Sequence, residues 1–143
     1  MLTIQEIKDI IPQRSPFLMI DRIEELVPGT RAVGRKCVSY GEAYFNGHFP
    51  EEPVMPGVLV LEAMGQVGAV LCLSVPEHKG KNAYFGGIDK ARFRNKIVPG
   101  DVLRIEVELI RRKGPVGVAA AKVVDAFKPE KIYAQAELTF MVQ

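Results

Sequence analysis

Val54-Met55-Pro56-Gly57-Val58-Leu59-Val60-Leu61-Glu62-Ala63-Met64-Gly65-Gln66-Val67-Gly68-Ala69-Val70-Leu71-Cys72-Leu73-Ser74-Val75 is the longest apolar run in a chain of 143 residues. Pro56 stands where a first helical turn accepts proline and Pro76 where a helix must stop. The run therefore predicts one helix of about twenty residues, roughly 30 Å long. Gly65, Gly68 and Ala69 in its second half are small enough for another backbone to approach closely, so the helix is expected to be enclosed on most sides. Its length and hydropathy come near those of a membrane span. Glu62 in mid-run, Gln66 one turn later and the alternating strands around the run oppose membrane insertion, because a charge in lipid is costly.

Around this helix the sequence reads as strands. Leu103, Ile105, Val107 and Leu109 alternate with Arg104, Glu106 and Glu108, a period of two that marks a strand with one buried face. Gly114-Pro115 and Lys128-Pro129 punctuate two more strands, the last with Ile132, Ala134, Ala136, Leu138, Phe140 and Val142 on one side, so an antiparallel meander closes the chain. Upstream, Thr3 and Glu6 have capping-box spacing, and Ile4, Ile7 and Ile11 share a helical face until Pro12. Strands are expected over Phe17 to Val27 and Arg31 to Ser39, separated by the turn at Pro28-Gly29. Residues 41 to 57 hold three prolines and three glycines and read as a loop. One long apolar helix among five to seven strands is best buried by wrapping the sheet around it, an α+β architecture occupying residues 1 to 143 as a single domain.

Apolar residues make up 48% and charged residues 25%, which excludes disorder and low-complexity classes. The net charge of +2 is too small to point to nucleic acid. Cys37 and Cys72 lack paired spacing and there are two histidines, so neither a zinc cluster nor a disulfide framework is indicated. A reducing compartment fits best. The opening MLTIQEIKDI has no basic or apolar signal region, and a cytoplasmic location is expected.

Glu62 is the single charged residue between Val54 and Val75. It must be paired, protonated or turned to a polar cavity. One reading makes it a structural glutamate bonded to Gln66 or a neighbouring loop; the other makes it functional. His48 lies in Gly47-His48-Phe49-Pro50, just before Pro56-Gly57 opens the helix, where unsatisfied amides and the positive end of the dipole point outward. A base, a buried acid and an oxyanion-type donor set thus fall within fifteen residues. His78, among charges in Pro76-Glu77-His78-Lys79-Gly80, is assigned no role.

The segment Gly47-His48-Phe49-Pro50-Glu51-Glu52-Pro53-Val54-Met55-Pro56-Gly57-Val58-Leu59, with Glu62-Ala63-Met64-Gly65-Gln66, resembles the active-site signature of the (3R)-hydroxyacyl-acyl-carrier-protein dehydratases of type II fatty acid synthesis, of the FabZ type. Arg14-Ser15-Pro16-Phe17-Leu18-Met19-Ile20-Asp21 and Ala91-Arg92-Phe93-Arg94 extend the resemblance over the whole chain. It implies the hot-dog fold, and it implies that His48 is the catalytic base and Glu62 the acid. The sibling enzyme that also isomerises the double bond resembles this chain but has aspartate at the position of Glu62 and extra N-terminal residues, so a plain dehydratase is expected. The settings implied are fatty acid and lipid A biosynthesis.

The same resemblance implies a substrate carried on the phosphopantetheine arm of acyl carrier protein. The Gly57 amide, aided by that of Val58, would stabilise charge on the thioester oxygen, and the Val54 carbonyl would orient the imidazole. No metal or other cofactor is required. His48 and the facing acid would come from different subunits of a homodimer, with an apolar tunnel between them, and dimers would assemble into a homohexamer. Arg92, Arg94 and Lys96 occupy alternate positions, which reads either as a solvated strand face or as a basic rim that steers the acidic carrier protein. Two alternatives share the fold: an acyl thioesterase, opposed by the His48-Phe49-Pro50 loop, and a non-catalytic acyl-thioester binding protein, which would be expected to lack His48 or Glu62.

Overall fold

The computed structural model describes residues 1–143. Helix α1 (Ile4–Ile10) starts in the expected capping box, with the Thr3 side chain accepting from the Glu6 amide and Glu6 reaching back to the Thr3 amide. Strands β1 (Arg22–Val27) and β2 (Arg31–Cys37) follow, then a short 3-10 turn (Ala43–Asn46) inside the predicted loop and helix α2 (Gly57–Leu73). A second 3-10 turn (Pro76–His78) leads to β3 (Ala83–Phe93), β4 (Val102–Lys113), β5 (Val116–Asp125) and β6 (Ile132–Val142). The six strands form one sheet in the order β1-β2-β4-β5-β6-β3, every neighbouring pair antiparallel. The closing meander is β4-β5-β6, and β3 crosses to the far edge beside β6.

The inward faces of β2, β4, β5 and β6 and nearly the whole second half of α2 form one core, from Val67 and Leu71 on the helix to Ile105, Val123 and Leu138 on the sheet. This is the sheet-wrapped helix expected from periodicity. No helix is long and apolar enough to cross a membrane. α2 has seventeen residues and begins at Gly57 with Pro56 as its N-cap, so it is about one turn shorter than the apolar run implied.

What approaches the small residues of α2 differs from the expectation. A Cβ on Gly65 would run into the Phe85 ring and one on Gly68 into the Phe140 ring. Those two rings stack at 5.7 Å and 22°. The small-residue face therefore receives aromatic side chains of this chain's own sheet. Close helix–strand approach is provided instead by a glycine on the strand, since a Cβ at Gly34 of β2 would come within 2.5 Å of Val67.

The first strand also starts later than Phe17. The Phe17 carbonyl and the Met19 amide are taken by the Gln66 side chain rather than by a neighbouring strand. β3 escapes the period-of-two reading because its register against β6 shifts between Phe85 and Gly87 and again between Asp89 and Arg92. Lys90 at the second irregularity has a φ of 54°. This edge strand leaves Tyr84, Ile88 and Phe93 exposed.

Candidate active site

The loop bearing His48 is held by its own backbone. Val54 donates to the His48 carbonyl at 2.9 Å, Phe49 and Glu52 exchange hydrogen bonds of 3.0 and 3.1 Å, and Met55 donates to Ile97 at 2.9 Å. The imidazole stacks on Phe49 with centroids 4.1 Å apart, and its Nδ1 lies 2.7 Å from the Val54 carbonyl oxygen. A carbonyl only accepts, so Nδ1 carries a hydrogen and Nε2 is left as the acceptor of the neutral ring.

His48, Val54, Gly57, Val60, Phe93 and Tyr133 line a cleft of about 380 Å³. Gly57 begins α2, where the first amides have no intrahelical partner and the dipole is positive. A Cβ on Gly57 would sit 3.0 Å from the Phe93 ring, so this glycine keeps the cleft floor close to the backbone. Val58, the other expected amide donor, is a residue 73% exposed.

Glu62 is half-buried on another face of α2. Burial pushes its carboxyl pKa up, and a hydrogen bond from Gln66 partly offsets the rise. The Glu62 carboxylate accepts from Gln66 Nε2 at 3.2 Å. Leu59, one turn before it, lines a separate cleft with Phe17, Leu18 and Tyr44. Glu62 is not among the residues lining the His48 cleft. Within one chain, then, His48, Val54 and Gly57 come together and Glu62 stands apart.

Of the three basic residues at alternate positions, Arg94 and Lys96 line the His48 cleft and Arg92 does not. They do not share one strand face, because β3 ends at Phe93. Lys96 pairs with Glu52 at 2.7 Å, Arg94 reaches Gln135 at 3.4 Å, and Arg92 donates to the Ala91 carbonyl at 2.8 Å.

Two residues stand out that the sequence did not mark. His78 is buried, with Nδ1 2.7 Å from the Cys72 carbonyl oxygen and Nε2 3.1 Å from the Arg112 guanidinium. It ties the end of α2 to β4 through Arg112. Lys36 is also buried, its ammonium 2.6 Å from Glu42. An isolated lysine in a strand carries no sequence signal of burial.

The model of the FabA-like domain family matches residues 11–136, which defines the class of the fold and of its site. The similarity narrows further. The chain is 61% identical to the 3-hydroxyacyl-[acyl-carrier-protein] dehydratase FabZ of Clostridium novyi (strain NT) over 120 residues, 84% of each chain. It is 59% identical to that of Clostridium botulinum (strain Loch Maree / Type A3) over 142 residues, 99% of this chain and 96% of the relative. The chain belongs to the FabZ family of 3-hydroxyacyl-[acyl-carrier-protein] dehydratases. Solved structures share the fold at low identity. One is the dehydratase heterocomplex ApeI:P of Xenorhabdus doucetiae, with a TM-score of 0.77 at 15% identity over 96% of this chain and 90% of that one. Another is a hypothetical thioesterase of Streptococcus pneumoniae with coenzyme A, with a TM-score of 0.66 at 14% identity over 85% of this chain and 84% of that one.

Proposed function

We propose that the chain removes water from 3-hydroxyacyl-acyl carrier protein to give the trans-2-enoyl thioester in fatty acid biosynthesis, with His48 as base and Glu62 as acid. The observation that carries this reading is the 2.7 Å contact between His48 Nδ1 and the Val54 carbonyl, which leaves Nε2 as a free acceptor in a cleft opened by the start of a helix. His48 Nε2 takes the Cα proton. The electron pair passes toward the thioester carbonyl, whose growing negative charge is met by the Gly57 amide and the dipole of α2. As the pair returns to form the Cα–Cβ double bond, the Cβ–O bond breaks and the Glu62 proton goes to the departing hydroxyl, which leaves as water. Burial favours the protonated carboxyl that this step needs.

Glu62 reaches the substrate from the partner subunit. Its separation from the same chain's His48 cleft supports a site shared across a homodimer, and so does the exposed apolar edge of β3 beside that cleft. The acyl chain lies in the apolar tunnel between the subunits, and dimers assemble into a homohexamer. Arg94 and Lys96 at the cleft, with Arg92 beside them, form a basic rim for the acidic carrier protein. The whole of residues 1 to 143 acts as one domain, in the cytoplasm. Incubation with a hydroxyacyl carrier-protein substrate tests the reading: enoyl product is expected, whereas free thiol would mark a thioesterase and no reaction a binding protein.

A further inference from the structure

Gln66 is fully buried on α2, one turn beyond Glu62, and three of the four hydrogen-bonding directions of its side-chain amide are used: both N–H groups and one oxygen lone pair. Oε1 accepts from the Met19 amide at 2.8 Å. Nε2 donates to the Phe17 carbonyl at 2.8 Å and to Glu62 Oε1 at 3.2 Å. The two backbone partners determine which way round the amide lies. A peptide N–H only donates and a carbonyl only accepts, so turning Gln66 over would set donor against donor at Met19 and acceptor against acceptor at Phe17. The segment carrying both groups is itself anchored, because buried Lys36 donates to the Met19 carbonyl at 3.4 Å while paired with Glu42.

Glu62 Oε1 is therefore always met by an N–H. A carboxyl proton on that oxygen would point at the amide hydrogen, which leaves Oε2, with no hydrogen bond inside the chain, to carry it. We propose that Gln66 is a positioning residue that selects the proton-bearing oxygen of Glu62: by donating to Oε1 it makes Oε1 the carbonyl oxygen and leaves the acidic proton on Oε2, free to meet the departing hydroxyl. The proposal rests on the reading of Glu62 as the acid. After proton transfer the same N–H stabilises the carboxylate left behind, so one hydrogen bond serves both the acid and its conjugate base.

The test uses the full-length protein and two readouts: the infrared C=O stretch of protonated Glu62, recognised as the band lost in Glu62→Gln, and the pH profile of kcat on a soluble 3-hydroxyacyl pantetheine thioester. In Gln66→Met the carbonyl oxygen loses its donor, so the band moves to higher frequency. The basic limb of kcat, where Glu62 ionises, moves up by about half a unit to one unit, because the carboxylate loses the same donor. Gln66→Glu keeps an acceptor for Met19 but sets a second carboxyl beside Glu62; its basic limb moves the same way, and it carries the test if the methionine variant does not fold. Lys36→Met removes one contact to the Met19 carbonyl while Gln66 keeps its bonds to Met19, Phe17 and Glu62, so band and limb stay in place. Unmoved band and limb in the Gln66 variants, or equal shifts in Lys36→Met, overturn the positioning role. Full activity in Glu62→Gln is a separate outcome, which overturns the assignment of Glu62 as the acid on which the proposal rests.

Discussion

His48 Nδ1 lies 2.7 Å from the carbonyl oxygen of Val54, six residues further along the same tight loop. Because the loop closes on itself through the Val54 amide and the His48 carbonyl, ring orientation and tautomer are set locally, before any substrate binds. In the proposed reaction the imidazole would therefore present Nε2 without the cost of reorienting.

His48→Ala and Glu62→Gln are each expected to lower turnover by roughly 10²-fold or more while the protein stays folded, the usual worth of a general acid or base. Steady-state kinetics alongside circular dichroism check this, and activity within a few-fold of the parent in either variant would remove that residue from the mechanism.

Stability should depend on pH through Glu62 with a definite sign. Burial raises its pKa in the folded chain above the usual carboxylate value, so the folded state holds a proton that the unfolded state has released. Its contribution is present below the ordinary glutamate range and is lost as pH rises through the raised value. Glu62→Gln removes this loss and should be at least as stable as the parent, with a margin that grows from acid to neutral pH. Thermal unfolding across that window decides, and a large loss of Tm in the variant at neutral pH would favour a purely structural glutamate.

A mixed dimer separates shared from single-chain sites. If each site takes His48 from one subunit and Glu62 from the other, pairing a His48→Ala chain with a Glu62→Gln chain leaves one site lacking both groups and one with both. Co-expression and purification of the heterodimer should restore activity from two inactive parents. A turnover no higher than theirs would mean that both groups act within one chain.

Arg92→Glu with Arg94→Glu should weaken the use of carrier-protein substrates and leave a small thioester mimic nearly untouched, since recognition lies outside the chemistry. The difference from the parent should shrink at high salt. Equal losses on both substrates would instead mean that these arginines act within the cleft, which Arg94 lines, rather than on the carrier protein.

Packing on the small face of α2 gives a graded prediction. Gly68→Ala meets the ring of Phe140, which is 2% exposed and has no room to move, so a loss of about 1–3 kcal/mol is expected. Gly65→Ala meets Phe85, 39% exposed, which can swing outward at smaller cost. Denaturant melts of the two variants should rank them in that order.

Much of this molecule is legible along the chain because its signals are local. The capping box of Thr3 and Glu6, the alternation from Leu103 to Leu109 and the run from Val54 to Val75 each follow from the period of one element, and together they require a sheet around a helix. His48, Val54 and Gly57 are likewise readable, because they lie within ten residues of one another and a short loop brings them together.

The wrapped helix and the histidine side of the proposed site are therefore local properties of the chain. It took the packing of remote segments to fix that Phe85 and Phe140 fill the space left by Gly65 and Gly68, that β3 lies at the sheet edge beside β6, and that Glu62 is not among the residues lining its own chain's histidine cleft. The same packing lets Gln66 reach back 47 and 49 residues to hold Met19 and Phe17. The physical reason is distance along the chain: a hydrogen bond or a ring contact between remote segments depends on how the sheet curves round the helix, and no local period records that curvature.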